Sequence, residues 1–595
     1  MAPGKKKQQQ VRLDGLAVSP GIAIGPVYIK GSSIEYVEKK KLTPEQVESE
    51  IEKFRHAIEN AKVDIECLQE NAERSIGEDN ARIFDAHKLM LEDEMIVDQT
   101  IARIKNNLEN ADYAFSSVVD TLEAQINSAE SDYLKSRSVD LFDIKRRVVG
   151  HILGSADECI VRFSSAVIVV ARELTPSDTI SLDRTNTLAF AVDLGGQTSH
   201  AAIMARALKV PSVVGLGKAS KTLSTGDEAI VDGIDGTLIL YPREKTKRFY
   251  RQKLQRYHRF EEKLSRIRKL PARTKDGKDI ELVANIEFPE EAESIHEEGA
   301  QGVGLYRTEY LFLTRSQLPT EEEQFQEYKR VIGAMKQHPI TIRTLDIGGD
   351  KKPSSIQIPE EENPFLGLRG IRLYKDYEEM INTQLRAILR ASVYGQVRIL
   401  FPMINSVYEI RQCKALVEQV AEQLGNEQLS CQENISIGAM IEVPSSAIIA
   451  DYIAAECDFL SIGTNDLIQY TLAVDRGNEH VAYLYQGYHP AILRLIRDIV
   501  EKGHQQGVWV GMCGELASDP LITMVLIGLG LDEFSVSPIS VPLIKEIIRR
   551  VEYTECESFA DRVLGYASVK EVSTYLHEVM NKKFKDLFGG DLIHQ

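Results

Sequence analysis

Tryptophan occurs once, aromatic residues make up only 7% of the chain, and the seven cysteines are scattered from Cys67 to Cys556. No two cysteines form a CxxC pair, which speaks against a zinc knuckle or a disulfide scaffold. Such usage suits a reducing compartment, so a cytoplasmic location is expected. No uninterrupted apolar run approaches the ~20 residues a membrane-spanning helix needs, and no membrane insertion is expected. The opening MAPGKKKQQQ is basic but has no apolar stretch behind it. It does not read as a secretory signal, and residues 1–10 are expected to form a disordered tail. An excess of positive charge is missing too: the formal net charge is −18, which argues against general nucleic-acid binding.

What is present is ordinary for a soluble globular chain. The 595 residues are 43% hydrophobic and 27% charged. At roughly 150 residues per domain the length allows about four domains, or fewer if one is a large α/β barrel.

Residues 11–31 hold SPGIAIGPVYI, an apolar run punctuated by Pro20, Gly21 and Gly25 that suggests strands and a turn. The character then changes. Thr43-Pro44-Glu45-Gln46 is a capping box with proline at the first helical position. Val47, Ile51, Phe54, Ile58, Ala61, Ile65 and Leu68 follow in steps of four and three, the mark of an amphipathic helix. Further helical stretches fit near 79–106, 111–127 and 131–153, so 44–154 reads as a helical hairpin bundle. After Gly154 the runs AVIVVA (166–171), TLAFAVD (187–193) and AIVDG to TLILY (229–241) are β-like. The simplest organisation makes 11–43 and 155–242 one small α/β domain with the helical block inserted. Residues 243–271 are basic and amphipathic; a connecting helix fits better than a nucleic-acid arm, because nothing else in the chain is basic.

Beyond 272 short strand-like runs alternate with helical segments, the signature of a parallel sheet. Eight candidate strands lie at 280–286, 302–306, 340–346, 397–403, 435–442, 458–463, 508–513 and 533–537. That count predicts a (β/α)8 barrel over 272–595. Asn285, Arg307, Arg343, Glu442, Asn465, Asp466 and Cys513 all fall at or just beyond the C-terminal ends of those strands, where this fold carries its active sites. A random distribution of surface charge would scatter them along helices.

Two constellations carry chemistry. In Gly195-Gly196-Gln197-Thr198-Ser199-His200 a strand ends, two glycines turn the chain, and Thr198 or Ser199 can cap a helix whose first turn holds His200. A histidine beside a helix N-terminus suits nucleophilic phosphoryl transfer, since backbone N–H groups and the dipole favour the phosphate it would acquire. At the predicted barrel mouth, Arg307 and Arg343 can fork onto phosphate oxygens. Glu442 and Asp466 are oxygen ligands of the kind Mg²⁺ takes. Paired carboxylates also serve glycosidases. The arginines favour a metal–phosphate site, because they should depress the carboxylate pKa values and hinder an acid role. Cys513, in Gly511-Met512-Cys513-Gly514-Glu515, is a candidate acid on the far side of a substrate.

These residues stand in segments that resemble the Enzyme I family of the phosphoenolpyruvate-dependent sugar phosphotransferase system. The segments are SPGIA (19–23), LTPSDT (174–179), GGQTSHAAIMARAL around His200, GLYRTEYLF (304–312), IRTLDIGGDK (342–351), ENPFLGLRGIR (362–372), FLSIGTNDLIQYTLAVDR (459–476) and GMCGE. So many separated motifs in one order make the resemblance specific over nearly the whole chain. It implies an α/β multidomain architecture: a small swivelling phosphohistidine domain with an inserted helical bundle, a linker helix and a C-terminal TIM barrel.

The resemblance also implies roles. His200 would take the phosphoryl group from phosphoenolpyruvate through Nε2 and pass it to the phosphocarrier protein HPr. Thr175 would help hold the phosphohistidine. Arg307, Arg343 and Arg476 would bind the substrate's phosphate and Asn465 would contact its carboxylate end, with Arg369 in the same barrel-mouth, substrate-binding set. Glu442 and Asp466 would hold Mg²⁺, and Cys513 would protonate the enolate carbon as pyruvate forms. The helical block would dock HPr, the barrel would form a homodimer, and 243–271 would be the hinge that lets His200 visit both partners. One departure is visible: many relatives carry arginine at Gln197. The related dikinases and synthases need an ATP-grasp domain of a few hundred residues, and fewer than 200 residues precede His200. A paralogue of the nitrogen branch would add a sensory domain before residue 19. A catalytically silent HPr binder would have no use for the whole set of site residues together.

Overall fold

The computed structural model describes every residue except 1–8, 31–36, 77–82, 128–131, 155–162, 164, 183–184, 197–201, 203–204, 206–209, 314–316, 337, 350–352, 354, 357, 360, 479 and 589–595. His200 and Gln197 therefore lie outside the described residues. The chain divides between Arg259 and Phe260 into two compact units.

In the first unit an eight-stranded sheet is built from β1 (Val11–Asp14), β2 (Leu16–Ser19), β3 (Ile22–Lys30), β4 (Val167–Ala171), β5 (Thr187–Val192), β6 (Ser212–Val214), β7 (Glu228–Asp232) and β8 (Thr237–Leu240). Their spatial order is β1-β8-β7-β3-β4-β5-β6-β2. β4 is apolar throughout because both faces are covered. Its alternate residues Ile168 and Val170 enter one core, and Val169 and Ala171 the other. β3 and β4 pair in parallel, Val27 opposite Ile168, although the whole helical block separates them in sequence. β6 escaped sequence reading because three residues give no period to detect.

The block between β3 and β4 folds around a core of its own, with Ile51, Phe54, Ile58, Ala61, Ile65 and Leu68 of the helix Val47–Ile76 at its centre. Gln46 accepts the Thr43 N–H at 2.9 Å, as a capping box requires. The stretch expected as one helix over 79–106 is two, Ile83–Leu91 and Glu94–Asn107. Asp93 makes the break by accepting the Met95 N–H at 2.8 Å, an N-cap that starts a new helix. Helices Ala111–Asn127 and Asp132–Leu153 complete the block.

An amphipathic helix runs over Glu244–Ile267, within the stretch expected to be one. Two of its lysines, Lys247 and Lys253, are turned toward the sheet and paired. Buried Lys253 binds Asp232 at 2.6 Å and Asp235 at 2.7 Å, and Lys247 binds Glu228 and Glu244.

In the second unit eight parallel strands close into a barrel: β9 (Glu281–Ile286), β10 (Val303–Tyr306), β11 (Ile340–Arg343), β12 (Val397–Phe401), β13 (Ser436–Ile441), β14 (Phe459–Ile462), β15 (Trp509–Met512) and β16 (Glu533–Val536). Each matches one of the eight runs read from the sequence. β16 returns to β9 with Glu533 opposite Glu281, which seals the barrel. Among the described residues no helix is long and apolar enough to cross a membrane.

Candidate active site

A cavity of about 150 Å³ opens where the barrel strands end, lined among others by Glu287, Arg307, Arg343, Asp346, Arg369 and Glu442. Asn465, Asp466, Arg476, Cys513 and Glu515 complete its polar wall. Of the residues expected at the barrel mouth, Arg307, Arg343, Arg369, Glu442, Asn465, Asp466, Arg476 and Cys513 line it. The topology explains why. Arg307 follows β10, Arg343 ends β11, Glu442 follows β13, Asn465 and Asp466 open the helix Thr464–Leu472 after β14, and Cys513 follows β15. Parallel strands with one sense bring all these ends to one rim. Gly514 lets two of the loops touch: a Cβ there would stand 1.8 Å from Thr464 Oγ1 and 2.6 Å from Thr464 N.

Asn285, though near a strand end, does not line the cavity. Its amide donates to the carbonyls of Cys513 and Ser535 at 3.0 and 3.1 Å, and its oxygen accepts from Ser535 Oγ at 2.6 Å. It ties strands together.

Arg343 is 5% exposed and donates to Glu309 Oε1 at 2.5 Å, with Nη1 3.2 Å from Asp346 Oδ2. Its Nε is buried without a hydrogen-bond partner among the described residues, a donor that an anion in the cavity would satisfy. Arg307 is half-buried and pairs with Glu287. Arg369 differs from both. Nε and Nη2 donate to the two oxygens of Asp346, Nη1 and Nη2 to the two oxygens of Asp466, and Nη1 to Tyr470 Oη. All five of its N–H groups are taken, so it can reach an anion only if a protein acceptor lets go.

Glu442 is 1% exposed, and its Oε1 accepts the Met403 N–H at 2.6 Å. Sequence reasoning had the arginines depressing the carboxylate pKa values here. For Glu442 the outcome is the reverse: burial, then the charges of Asp466 and Asp346, outweigh Arg369 and Arg343 and push it up to about 8. A carboxylate crowded by burial and like charge gains most from a cation beside it. Among the described residues no three His, Cys, Asp or Glu side chains form a ready-made metal cage. Two carboxylates at an anion pocket fit a hard cation that completes its shell with water and substrate oxygens.

Cys513 both packs and faces the cavity. It joins Leu305, Leu400, Met440 and Phe459 in the barrel core, and burial pushes its thiol up to about 11. The sulfur therefore carries its proton at neutral pH. Asn465 is held by a reciprocal pair, its amide donating to Glu515 Oε1 and its oxygen accepting the Glu515 N–H, both at 2.9 Å.

In the first unit Thr175 caps the helix Pro176–Ser181 and is 1% exposed. Its hydroxyl donates to Asp143 Oδ1 at 3.2 Å, a residue of the helical block. Burial alone would raise Asp178, but Arg146, with Lys30, outweighs it and holds that carboxyl down at about 2. Thr175 is thus engaged at the junction between the sheet and the helical block.

Glu309, Asp346, Glu287 and Glu515 were not singled out from the sequence. The first, second and fourth lie inside motifs quoted above, in GLYRTEYLF, IRTLDIGGDK and GMCGE. Nothing in the sequence marks Glu287 beyond its place after a strand.

Three family profiles match the chain in succession. They are the N-terminal region of PEP-utilising enzymes at 14–137, their mobile domain at 163–236 and their PEP-binding domain at 261–553. A curated phosphoenolpyruvate-protein phosphotransferase of Priestia megaterium is 43% identical over 564 residues, 95% of this chain and 98% of that protein. Those of Bacillus subtilis (strain 168) and Staphylococcus carnosus (strain TM300) are 43% and 41% identical, each over 95% of this chain and 99% of their own length.

Proposed function

The chain belongs to the family of the phosphoenolpyruvate-protein phosphotransferases, and we propose that it performs their reaction with the residues described above. It is a transferase: phosphoenolpyruvate gives its phosphoryl group to His200, pyruvate leaves, and the phosphohistidine passes the group to the carrier protein HPr, the first step of the sugar phosphotransferase system.

The observation that carries this reading is the convergence of four arginines, one with an unspent Nε donor, two buried carboxylates and a protonated thiol on one cavity. Arg307, Arg343 and Arg476 bind the phosphate end, and Asn465 the carboxylate end. Glu442 and Asp466 are the residues that would hold Mg²⁺. Bound there, Mg²⁺ would supply positive charge for the oxygen on which the enolate develops. As His200 Nε2 forms its bond to phosphorus, the bond from phosphorus to the enol oxygen breaks. Cys513 then delivers its proton to the enolate carbon, and pyruvate results. An acid whose pKa lies far above neutrality holds that proton until a strong carbon base is generated. Arg343, fixed by Glu309 and Asp346, meets the transferring charge without reorganising. Thr175 helps hold the phosphohistidine.

The helical block 44–154 is the docking module for HPr, 11–43 with 155–242 the phosphohistidine domain, 243–271 the linker and 272–595 the substrate barrel. A second copy pairs with the barrel. Support comes from Tyr408, Ile448 and Tyr452, large hydrophobic side chains of the barrel unit that are each more than 60% exposed. The reaction takes place in the cytoplasm, and the partners include neither nucleic acid nor membrane.

Incubation with Mg²⁺ and phosphoenolpyruvate labelled in the phosphoryl group tests the core of this. Wild type should take up acid-labile, base-stable label, and His200→Ala none. Equal labelling of His200→Ala would end the assignment. Cys513→Ala should slow pyruvate formation by about 10²–10⁴-fold, the range of a lost general acid. HPr docking, followed by calorimetry, should persist in that variant.

A further inference from the structure

Asp346 has no role in the reaction as set out so far beyond helping to fix Arg343, yet it is 1% exposed and meets both inner arginines of the cavity. Its two oxygens accept from Arg369 Nε and Nη2, each at 3.0 Å, and Oδ2 lies 3.2 Å from Arg343 Nη1. We propose that Asp346 is a positioning residue for the phosphoenolpyruvate reaction, holding Arg343 and Arg369 as one preset pair that stays aligned when Asp466 releases Arg369. The inference rests on the phosphotransferase reading.

The two carboxylates on Arg369 are not equivalent. Asp466 opens a helix at the cavity wall, and a cation there would need the lone pairs that Arg369 now occupies. Asp346 belongs to the loop after β11, apart from the helix that Asp466 opens. Once Asp466 is drawn to a cation, the Nη1 and Nη2 hydrogens facing it become available to a substrate anion. The opposite edge of the guanidinium stays forked on Asp346. A planar guanidinium gripped along one edge can present only the other, so the released donors would point into the cavity without a search for a rotamer. Asp346 also places negative charge between two arginines that would otherwise repel each other at the moment of release.

A purely structural role for this side chain is poorly supported, because the backbone already fixes the loop. The Gly370 N–H donates to Ile347 O at 3.1 Å. Gly348, at φ +111°, packs so closely that a Cβ would stand 2.3 Å from Leu368 O. The segments bearing Asp346 and Arg369 are locked together by main chain, and what the carboxylate adds is orientation of the guanidinia.

The test uses the full chain with Mg²⁺ and compares wild type, Asp346→Asn, Asp346→Glu, Arg369→Lys and the double variant Asp346→Asn/Arg369→Lys. Asp346→Asn should raise KM for phosphoenolpyruvate about tenfold or more, the scale of a lost charge-assisted fork. Asp346→Glu should raise it about two- to threefold. In the Arg369→Lys background Asp346→Asn should have a smaller effect than in wild type, because the part that passes through that arginine is already lost and only the part through Arg343 remains. In a His200→Ala background, calorimetric binding of phosphoenolpyruvate should weaken by a similar tenfold with Asp346→Asn. Back-transfer of label from phosphorylated HPr to His200, which does not use the barrel cavity, should keep its wild-type rate. A wild-type KM in Asp346→Asn, an undiminished effect beside Arg369→Lys, or an equal loss of back-transfer would each overturn the proposal. If Asp346→Asn loses cooperative unfolding, Asp346→Glu is read in its place: a KM raised about two- to threefold supports the proposal, and an unchanged KM overturns it. Wild type that takes no label would instead bring down the phosphotransferase reading itself.

Discussion

The two ends of the barrel bury the same chemistry to different purposes. At the strand C-termini, Glu442 is pushed up to about 8 by burial, then by Asp466 and Asp346, with Arg369 and Arg343 alongside. At the strand N-termini, Glu533 is also pushed up to about 8 by burial and by Glu281, which β-pairing sets directly opposite. Arg398 answers both carboxylates there, at 3.1 Å from Glu533 and 3.5 Å from Glu281. The pKa values alone would call these ends equal. What separates them is unspent valence. Arg398 is covered by Trp509, its guanidinium 4.7 Å from the ring centroid, and Trp509 stacks in turn on Phe459 at 4.6 Å. That end is plugged by a paired guanidinium under stacked rings. The mouth keeps a cavity of about 150 Å³ and a buried Arg343 Nε without a partner. A perturbed carboxylate marks a reactive site only where space and donors remain beside it.

The sharpest way to break this comparison is to neutralise the glutamate at each end. Glu442→Gln should lower the rate of phosphorylation by phosphoenolpyruvate about 10³-fold or more, as loss of a ligand and of charge at a transferring centre does. Glu533→Gln should leave that rate within about twofold. Similar losses from both, in single-turnover labelling, would mean the two ends are coupled.

Next in size is the stability of the plug. Arg398→Ala leaves Glu533 buried and facing Glu281 without its cation, and should cost about 1–3 kcal/mol in denaturant unfolding. The lower part of the 3–5 kcal/mol usual for a broken buried pair, or less, is expected because Glu533 can protonate near neutrality. Activity per folded molecule should be unchanged.

The smallest effect is a pH dependence. Glu533 has a folded pKa above its unfolded one, so its contribution to stability is full below the ordinary glutamate range and is lost as pH rises through about 8. Between pH 5 and 8 wild type should therefore lose more stability than Glu533→Gln. The gap in Tm should widen by about 2–4 °C for each kcal/mol the proton linkage contributes. A constant gap across that range would show that Glu533 is ionised in the folded barrel.

Much of the architecture was legible before any coordinates. Eight apolar runs at barrel spacing gave the closed sheet, and the heptad-like steps from Val47 to Leu68 gave the first helix of the inserted block, because both depend on local period. The split at Asp93 was missed because an N-cap inside a continuous amphipathic pattern leaves the period nearly intact. The residues of the cavity wall were legible as a set, since parallel strands deliver their ends to one rim whatever the side chains do.

The sequence by itself determined which chemical groups this protein owns and, through strand direction, the rim on which those of the barrel gather. Only the tertiary structure decided what state those groups are in. It set Glu442 above rather than below the usual carboxylate range, kept the proton on Cys513, and used up every donor of Arg369 on Asp346, Tyr470 and Asp466, the last 97 residues away. Each of those outcomes is a sum of desolvation and of charges brought within a few ångströms by closure of the barrel, and such a sum has no counterpart in the spacing of residues along the chain.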